Sequence, residues 1–407
     1  MKPRVLDQIV ATTDFHSSLD HAQSLVSHLH AHRPRSLVVD CGDFFEGTGY
    51  YLLGRGDVER QLLLSAYDVI APGNHGWSHH FEPKLHQLTV CANATDTDGR
   101  WLFRQFHKAR IGNRTVGVTA VISPQAFSAI PMAERATHRV LDPAAALWEL
   151  RGRNLDVEDW IVLSHSGFTE DQLLAAKCPF VSVVFAGHCH SPKYGPLRVG
   201  DTLVVKGPEL GRGYAIAEPT RDSWTARTLL ANSPAPVPRQ FAPIADQITG
   251  LHGRLTAPMG TILEPWRDRA VEPRELMTAV VAWLHDRRND LPVILNEPAL
   301  RTVEFGETLT LADLLAAEPF ANELVYAPLP YRNGGVQTVL QQLTDRAGPL
   351  LTAPAALAAP VHTALMTGYL AETFQIHCNA PAGLTLGGAV CHVLTGAGPA
   401  IPKGCTL

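Results

Sequence analysis

The chain lacks an excess of basic residues: 34 Lys and Arg stand against 39 Asp and Glu, for a formal net charge of −5. No basic field is available to hold a nucleic-acid backbone by counterion release, which argues against a nucleic-acid polymer as partner. Long apolar runs are missing as well. No uninterrupted stretch approaches the roughly 20 residues a membrane helix requires, so no membrane partner is expected. The opening segment MKPRVLDQIVATTDFHSSLD runs into a strand-like pattern without an apolar signal region or a small-residue cleavage site, and the expectation is an unexported, cytoplasmic protein. Cysteine is sparse: the seven cysteines, at 41, 91, 178, 189, 378, 391 and 405, are odd in number, scattered and without a CxxC pair. That pattern suits reduced thiols better than a disulfide framework. Internal repeats and low-complexity tracts are absent too.

What remains is an ordinary globular balance, 45% hydrophobic with 32 Gly and 30 Pro, which excludes wholesale disorder and collagen-like structure. At about 150 residues per domain, 407 residues imply two or three domains. Short β-branched runs end abruptly at polar clusters in QIVATTDFH, SLVVDCGD, DVIAPGNH, WIVLSHSG and VSVVFAGHCH. Each reads as a buried strand delivering polar residues at its C-terminal end, where loops on a rigid sheet carry function. Apolar-periodic segments between them give a β-α alternation to about residue 190. TLVVKGP and GYAIAEPT add strands that suggest a second sheet. The Pro-rich stretch 232–244 reads as the linker between a first domain, 1–231, and a second, 245–407. In the second, PRELMTAVVAWLHDRR predicts a helix with Pro273 near its start, PVILN a strand, and ETLTLADLLAAEPFANELVYAPL a helix and a strand.

The 19 histidines are the compositional oddity, because imidazole is the commonest transition-metal ligand and the usual acid or base near neutral pH. Five strand ends carry Asp14 and His16, Asp43, Asn74 and His75, His165, and His188 with His190. Carboxylates, an amide oxygen and imidazoles form a mixed hard and borderline donor set suited to Mn²⁺, Zn²⁺ or Fe rather than Ca²⁺ or Cu⁺. One ion cannot use them all. In D-x-H and H-x-H just beyond strands, a period of two puts both side chains on one face. Glycines before Asp43, Asn74 and His188 would permit tight turns. Any one of these pieces is commonly structural; five in this order are not explained by independent accidents. By contrast HLHAH at 28–32 reads as a solvated helix end, Cys41 and Cys189 as packed thiols, and Asp40 as a turn or capping residue.

TTDFHSSLD, VDCGDFFEGTGYY, APGNHGW, LSHSG and FAGHCHSP together resemble the calcineurin-like metallophosphoesterases, and EGT after the second aspartate resembles the 5′-nucleotidase branch. CANA and VGVTAVISP support the same likeness, and VILNEPALR, FGETLTLADLL and EPFANELV resemble the substrate-binding C-terminal domain of that family. The resemblance implies an α/β fold in which a β-sandwich flanked by helices (αββα) precedes a smaller α/β substrate-binding domain. It implies two divalent ions, manganese, zinc or iron, one on Asp14, His16, Asp43 and His190, the other on Asp43, Asn74, His165 and His188, with Asp43 bridging. His75 matches the catalytic histidine that contacts phosphate. The implied activity is phosphomonoester hydrolysis of a nucleoside 5′-monophosphate or nucleotide-like ester by metal-bound hydroxide, without a covalent intermediate. Arg301 would meet substrate phosphate, and Phe320 and Asn322 would contact a base.

Departures from the family pattern are specific. Glu297, Pro298 and Ala299 replace consecutive glycines before Arg301. Ser78 stands where the family has the aspartate that orients the catalytic histidine; His79 and Glu82 are the nearby substitutes. The second aromatic of the base sandwich is missing, which leaves Tyr369 as its replacement. These changes keep two other functions open: cleavage of a phosphodiester or pyrophosphate, as in cyclic nucleotides or nucleotide-sugars, and a metal-retaining ligand-binding or regulatory protein without turnover.

Overall fold

The computed structural model describes residues 4–190, 194–232, 237–287, 291–329, 335–357, 361–374, 376 and 380–397. Two compact units divide the chain, Met1–Leu251 and His252–Leu407. The division falls inside the helix Ala242–Leu255 and not in the Pro-rich stretch 232–244. The chain after Pro238 packs onto the first unit: Phe241 is buried against the His30 ring, and Gln247 bonds Gln61 at 2.8 Å.

The first unit is built on two sheets. One has the strand order Trp224–Leu230, Gly213–Pro219, Gln8–Thr12, Ser36–Asp40, Val69–Ile70; the other has Leu197–Val199, Thr202–Lys206, Val181–Ala186, Asp159–His165, Arg114–Ile122, Phe106–Ile111. The ladders Gln8–Thr12 with Ser36–Asp40, and Arg114–Ile122 with Asp159–His165 and on to Val181–Ala186, are parallel. All of their strand C-termini therefore reach the same edge of their sheets, which is why five separate motifs meet. An antiparallel pairing of Phe106–Ile111 with Arg114–Ile122 interrupts the β-α alternation read from sequence.

Period-two alternation sorts the side chains. Ile9, Ala11, Leu37 and Val39 from one sheet pack with Val118, Ala120, Ile161, Leu163, Val183 and Phe185 from the other. Their neighbours Trp160, Val162 and Val184 face outward and are covered by Leu147 and Leu150 of the helix Pro143–Gly152 and by Phe168 and Leu174 of the helix Phe168–Lys177. At roughly 25 cal/mol per Å² of apolar area buried, these strands with no exposed face are the main support of the site's geometry. The αββα layering expected from the family resemblance is the observed one.

The second unit is a five-stranded sheet in the order Leu350–Ala353, Val293–Asn296, Thr363–Thr367, Glu323–Pro328, Ala380–Thr385. Val293 and Leu295 face the helices Pro273–Arg287 and Leu386–Thr395, and Ile294 faces Val336–Ala347 and Gly368–Thr373. The predicted helix and strand segments are all present. The helix Leu311–Ala317 starts at a capping box in which Thr310 and Asp313 satisfy each other's backbone N–H groups.

Candidate metal centre

Loops leaving four of the parallel strands, and His165 at the end of a fifth, carry the candidate ligands. Asp14 and His16 do not share a face through strand periodicity, as the sequence reading expected, because both sit at φ +48° beyond the strand. What aims them is pairing between two loops: Asp14 N donates to the Gly42 carbonyl at 3.1 Å and His16 N to the Asp43 carbonyl at 2.9 Å. Asp43 (φ +55°) and His188 (φ +74°) are also left-handed. Such torsions at non-glycine residues are uncommon and collect at functional sites. Two glycines are required for definite reasons. Gly42 has φ +100°, and a Cβ on Gly73 would lie 2.0 Å from Asp43 Oδ1.

Around Asp43 two donor groups form. Ligand atoms of Asp43, His165 and His188 lie within 4.8 Å of one another, and so do those of His16, Asp43 and His75. Asn74 joins the first group: its Oδ1 is 3.1 Å from His165 Nε2 and 2.9 Å from His188 Nδ1. His165 Nδ1 lies 2.9 Å from the Cys41 carbonyl. A carbonyl only accepts, so Nδ1 carries the proton and Nε2 of a neutral ring turns a lone pair toward Asn74 Oδ1 and toward Asp43 Oδ2 at 3.2 Å. Three acceptors then converge with no hydrogen between them, an arrangement that calls for a cation. His16 adds a buried Nε2 with no hydrogen-bond partner, 3.7 Å from Asp43 Oδ2.

A proton on His165 competes with a cation for Asp43. Burial disfavours the His165 imidazolium, yet Asp43 overrides it and carries the ring to about 9, while the same histidine holds Asp43 well below the usual carboxylate range despite its burial. Burial pushes His16 and His188 down to about 4, so both present neutral rings at pH 7. Asp14 is fully buried, accepts from Thr13 Oγ1 at 2.6 Å and His188 N at 2.9 Å, and has its carboxyl raised by burial. Metal binding takes neutral imidazoles and carboxylates, so a cation would displace the proton that Asp43 favours on His165; with that exchange the residues fit a dinuclear divalent centre with Asp43 common to both positions.

His190 stands apart. Its side chain is 61% exposed, its Nδ1 bonds Glu209, and its ring is 5.3 Å from that of His16. Glu209, which also pairs with Lys206, is a neighbour that sequence reasoning missed, since no motif marks it. Glu46 was missed too: its Oε2 lies 3.1 Å from His75 Nδ1. The substitutes expected from sequence are occupied elsewhere. His79 bonds Tyr51 OH at 2.8 Å and Glu82 at 2.7 Å, and Glu82 is also held by Arg60 at 2.7 Å. Among the other readings, Asp40 accepts from Gly42 N at 2.9 Å as a turn residue, and Cys189 Sγ accepts from Phe168 N at 3.1 Å. The HLHAH segment is not a solvated end: His32 bonds Gln8 and Tyr214, and His30 bonds Gln240, because the helix lies over the first sheet.

A family model for calcineurin-like phosphoesterases matches residues 8–192, which hold all seven candidate ligands. Over this segment the chain resembles the calcineurin-like phosphoesterases. The chain is 27% identical over 186 residues to a 5′-nucleotidase of Rattus norvegicus and 29% identical over 177 residues to a 5′-nucleotidase-related protein of Glossina morsitans morsitans, covering 42% and 39% of this chain. The matched segments span about a third of those proteins, 32% and 31%. In fold, 96% of the chain superposes on 96% of a 5′-nucleotidase precursor from Thermus thermophilus, with a TM-score of 0.65 at 17% identity. A 5′-nucleotidase of Candida albicans gives 0.64 at 13% identity over 97% of this chain and 99% of that one; a sulfate thiohydrolase, SoxB, of Thermus thermophilus gives 0.65 at 15% over 97% and 95%. The likeness to the thiohydrolase shows that this fold alone does not fix the reaction.

The remaining candidate residues lie in the second unit. Phe320, Asn322 and Tyr369 line a cavity of about 590 Å³ together with Asn296, Arg346 and Glu372. Phe320 and Tyr369 are about half exposed, at 53% and 51%, so each ring presents apolar surface to a planar ligand. Asn322 is fixed by Glu318, which accepts from its Nδ2 at 2.8 Å and its N at 3.2 Å. Arg301 does not line the cavity: its guanidinium covers the Phe320 ring at 4.9 Å and donates to the carbonyls of Pro298 and Leu300. The residues replacing the family's glycines form a single 3-10 turn, Glu297–Ala299, and the Glu297 carboxylate is neutralised by Arg274 at 3.0 Å. Asn296, Arg346 and Glu372 carried no sequence signal because they come from three separate elements.

Proposed function

We propose that the chain is a metal-dependent phosphoric monoester hydrolase acting on a nucleoside 5′-monophosphate or a nucleotide-like phosphate ester. The observation that carries this reading is Asp43 at the meeting point of two donor groups, one with His165 and His188, the other with His16 and His75. Asp14, His16, Asp43 and His190 would hold one divalent ion, and Asp43, Asn74, His165 and His188 the other. A pair of such ions, when bound, acidifies water and neutralises charge developing on a transferring phosphoryl group. The protein's own residues do the rest. The Cys41 carbonyl holds the His165 ring in one tautomer, and Asp14 fixes the His188 backbone. His75, anchored through its N–H to Asp43 at 2.8 Å, supplies a donor for phosphate oxygen outside the ligand set. Phe320 and Tyr369 offer stacking faces, and Asn322 a hydrogen-bonding edge, to a heteroaromatic group. Homology to proteins named 5′-nucleotidases supports the monoester class over the diester and non-catalytic alternatives.

The test is phosphate release from nucleoside 5′-monophosphates, sugar phosphates and matched diesters, before and after chelation. Turnover of a nucleoside monophosphate should vanish on chelation and return with Mn²⁺ or Zn²⁺, and His75→Ala should lower it by about 10²- to 10³-fold, the usual cost of one preorganised transition-state donor. Phosphate release that survives complete metal removal would sink the reading.

A further inference from the structure

We propose that Glu46 is the positioning residue of His75, taking from a different loop the place of the orienting carboxylate that Ser78 has vacated. This rests on the hydrolase reading above, in which His75 meets substrate phosphate. Glu46 Oε2 lies 3.1 Å from His75 Nδ1. With the backbone N–H of His75 held by Asp43 Oδ1 at 2.8 Å, main chain and ring are fixed by two carboxylates from one loop. A carboxylate accepting at Nδ1 keeps a proton there and leaves Nε2 as the nitrogen that turns to the ligand.

Two further observations point the same way. Glu46 has φ +64°, a left-handed conformation in a residue that gains nothing from it sterically. The pair is half exposed, with side chains 43% and 32% accessible for His75 and Glu46; an ion pair so placed adds little to folding, so stability does not account for the strained backbone. The loop is also clamped onto the site: a Cβ on Gly47 would be 3.0 Å from His16 Cβ, and Thr48 Oγ1 donates to the Ser17 carbonyl at 2.8 Å. Competing carboxylates are spent. Glu82 is tied to Arg60 and His79, and Glu134 accepts from Ser78 N at 3.0 Å.

The decisive experiment measures kcat, KM and metal content in the metal-loaded full chain for Glu46→Gln, His75→Ala, the double variant and Glu82→Gln. Glu46→Gln should lower kcat about 10- to 100-fold, the typical cost of an outer-shell orienting partner, with metal content and KM unchanged. Added to His75→Ala it should cost nothing further, and Glu82→Gln should leave kcat intact. A Glu46→Gln loss that multiplies with that of His75→Ala, or that tracks lost metal, overturns the proposal, as does an unchanged kcat. If no ester is turned over at all, the hydrolase reading falls, and Glu46 is judged by ring-nitrogen NMR of the zinc-loaded protein. There the His75 signals, assigned by their loss in His75→Ala, should show a protonated Nδ1 that Glu46→Ala shifts; identical signals in the two proteins refute the pairing.

Discussion

Four of the seven candidate ligands, Asp14, His16, Asp43 and His188, sit at positive φ without being glycine, each carrying about 1 kcal/mol or more of conformational cost. Such strain persists where the side chain is indispensable, and Asp43 is the clearest instance because it alone belongs to both donor groups. Asp43→Ala should lose bound metal at both positions by elemental analysis, with activity falling by more than the 10- to 100-fold that outer-shell partners typically cost, about 100-fold or beyond. A different residue-scale consequence concerns Glu318, buried beside Asn322. Burial raises its carboxyl above the ordinary 4.5, although its bonds to Asn322 oppose this. A raised folded-state pKa favours the protonated form, so the stability it contributes is present below the unfolded value and declines as pH climbs through the folded one. Wild type should therefore lose thermal stability above pH 4.5 with a slope that Glu318→Gln, which keeps an acceptor for Asn322, lacks. Coincident melting-temperature profiles for the two proteins would contradict this. None of this was legible in residue types alone: a Glu in EPFAN looks like any surface carboxylate until its burial is known.

Individual elements show why motif positions were readable and their geometry was not. Strand ends were visible because β-branched runs such as SLVVD and WIVLSH stop at polar residues. How Asp14 and His16 are aimed was invisible, since it depends on hydrogen bonds from their loop to Gly42 and Asp43, distant in sequence. The Gly73 turn makes this testable. A Cβ there would meet Asp43 Oδ1 at 2.0 Å, and backbone and carboxylate must separate to admit it. Gly73→Ala should weaken metal binding by about tenfold or more while circular dichroism remains that of wild type. In the second unit, Thr310→Ala removes the cap of the helix Leu311–Ala317 and should cost about 1 kcal/mol in denaturant unfolding. No effect on metal content is expected.

At the scale of the whole molecule, divalent ions that bind only the folded state should stabilise the first unit by mass action. Chelation should speed amide exchange in the loops at 13–17, 42–48, 73–76 and 187–190 and leave the strands Val293–Asn296 and Thr363–Thr367 of the second unit as they were. Uniform acceleration across both units would count against a centre confined to the first. The sequence by itself determined the two-unit α/β plan and the donor inventory, because strand periodicity, strand-end motifs and donor chemistry are local properties of the chain. Only the tertiary structure decided that Glu46 faces His75, that Arg301 rests on Phe320 and that residues 237–251 belong to the first unit. Those contacts join residues far apart in sequence, and no local pattern encodes which of several charged side chains the folded backbone will bring within hydrogen-bonding reach.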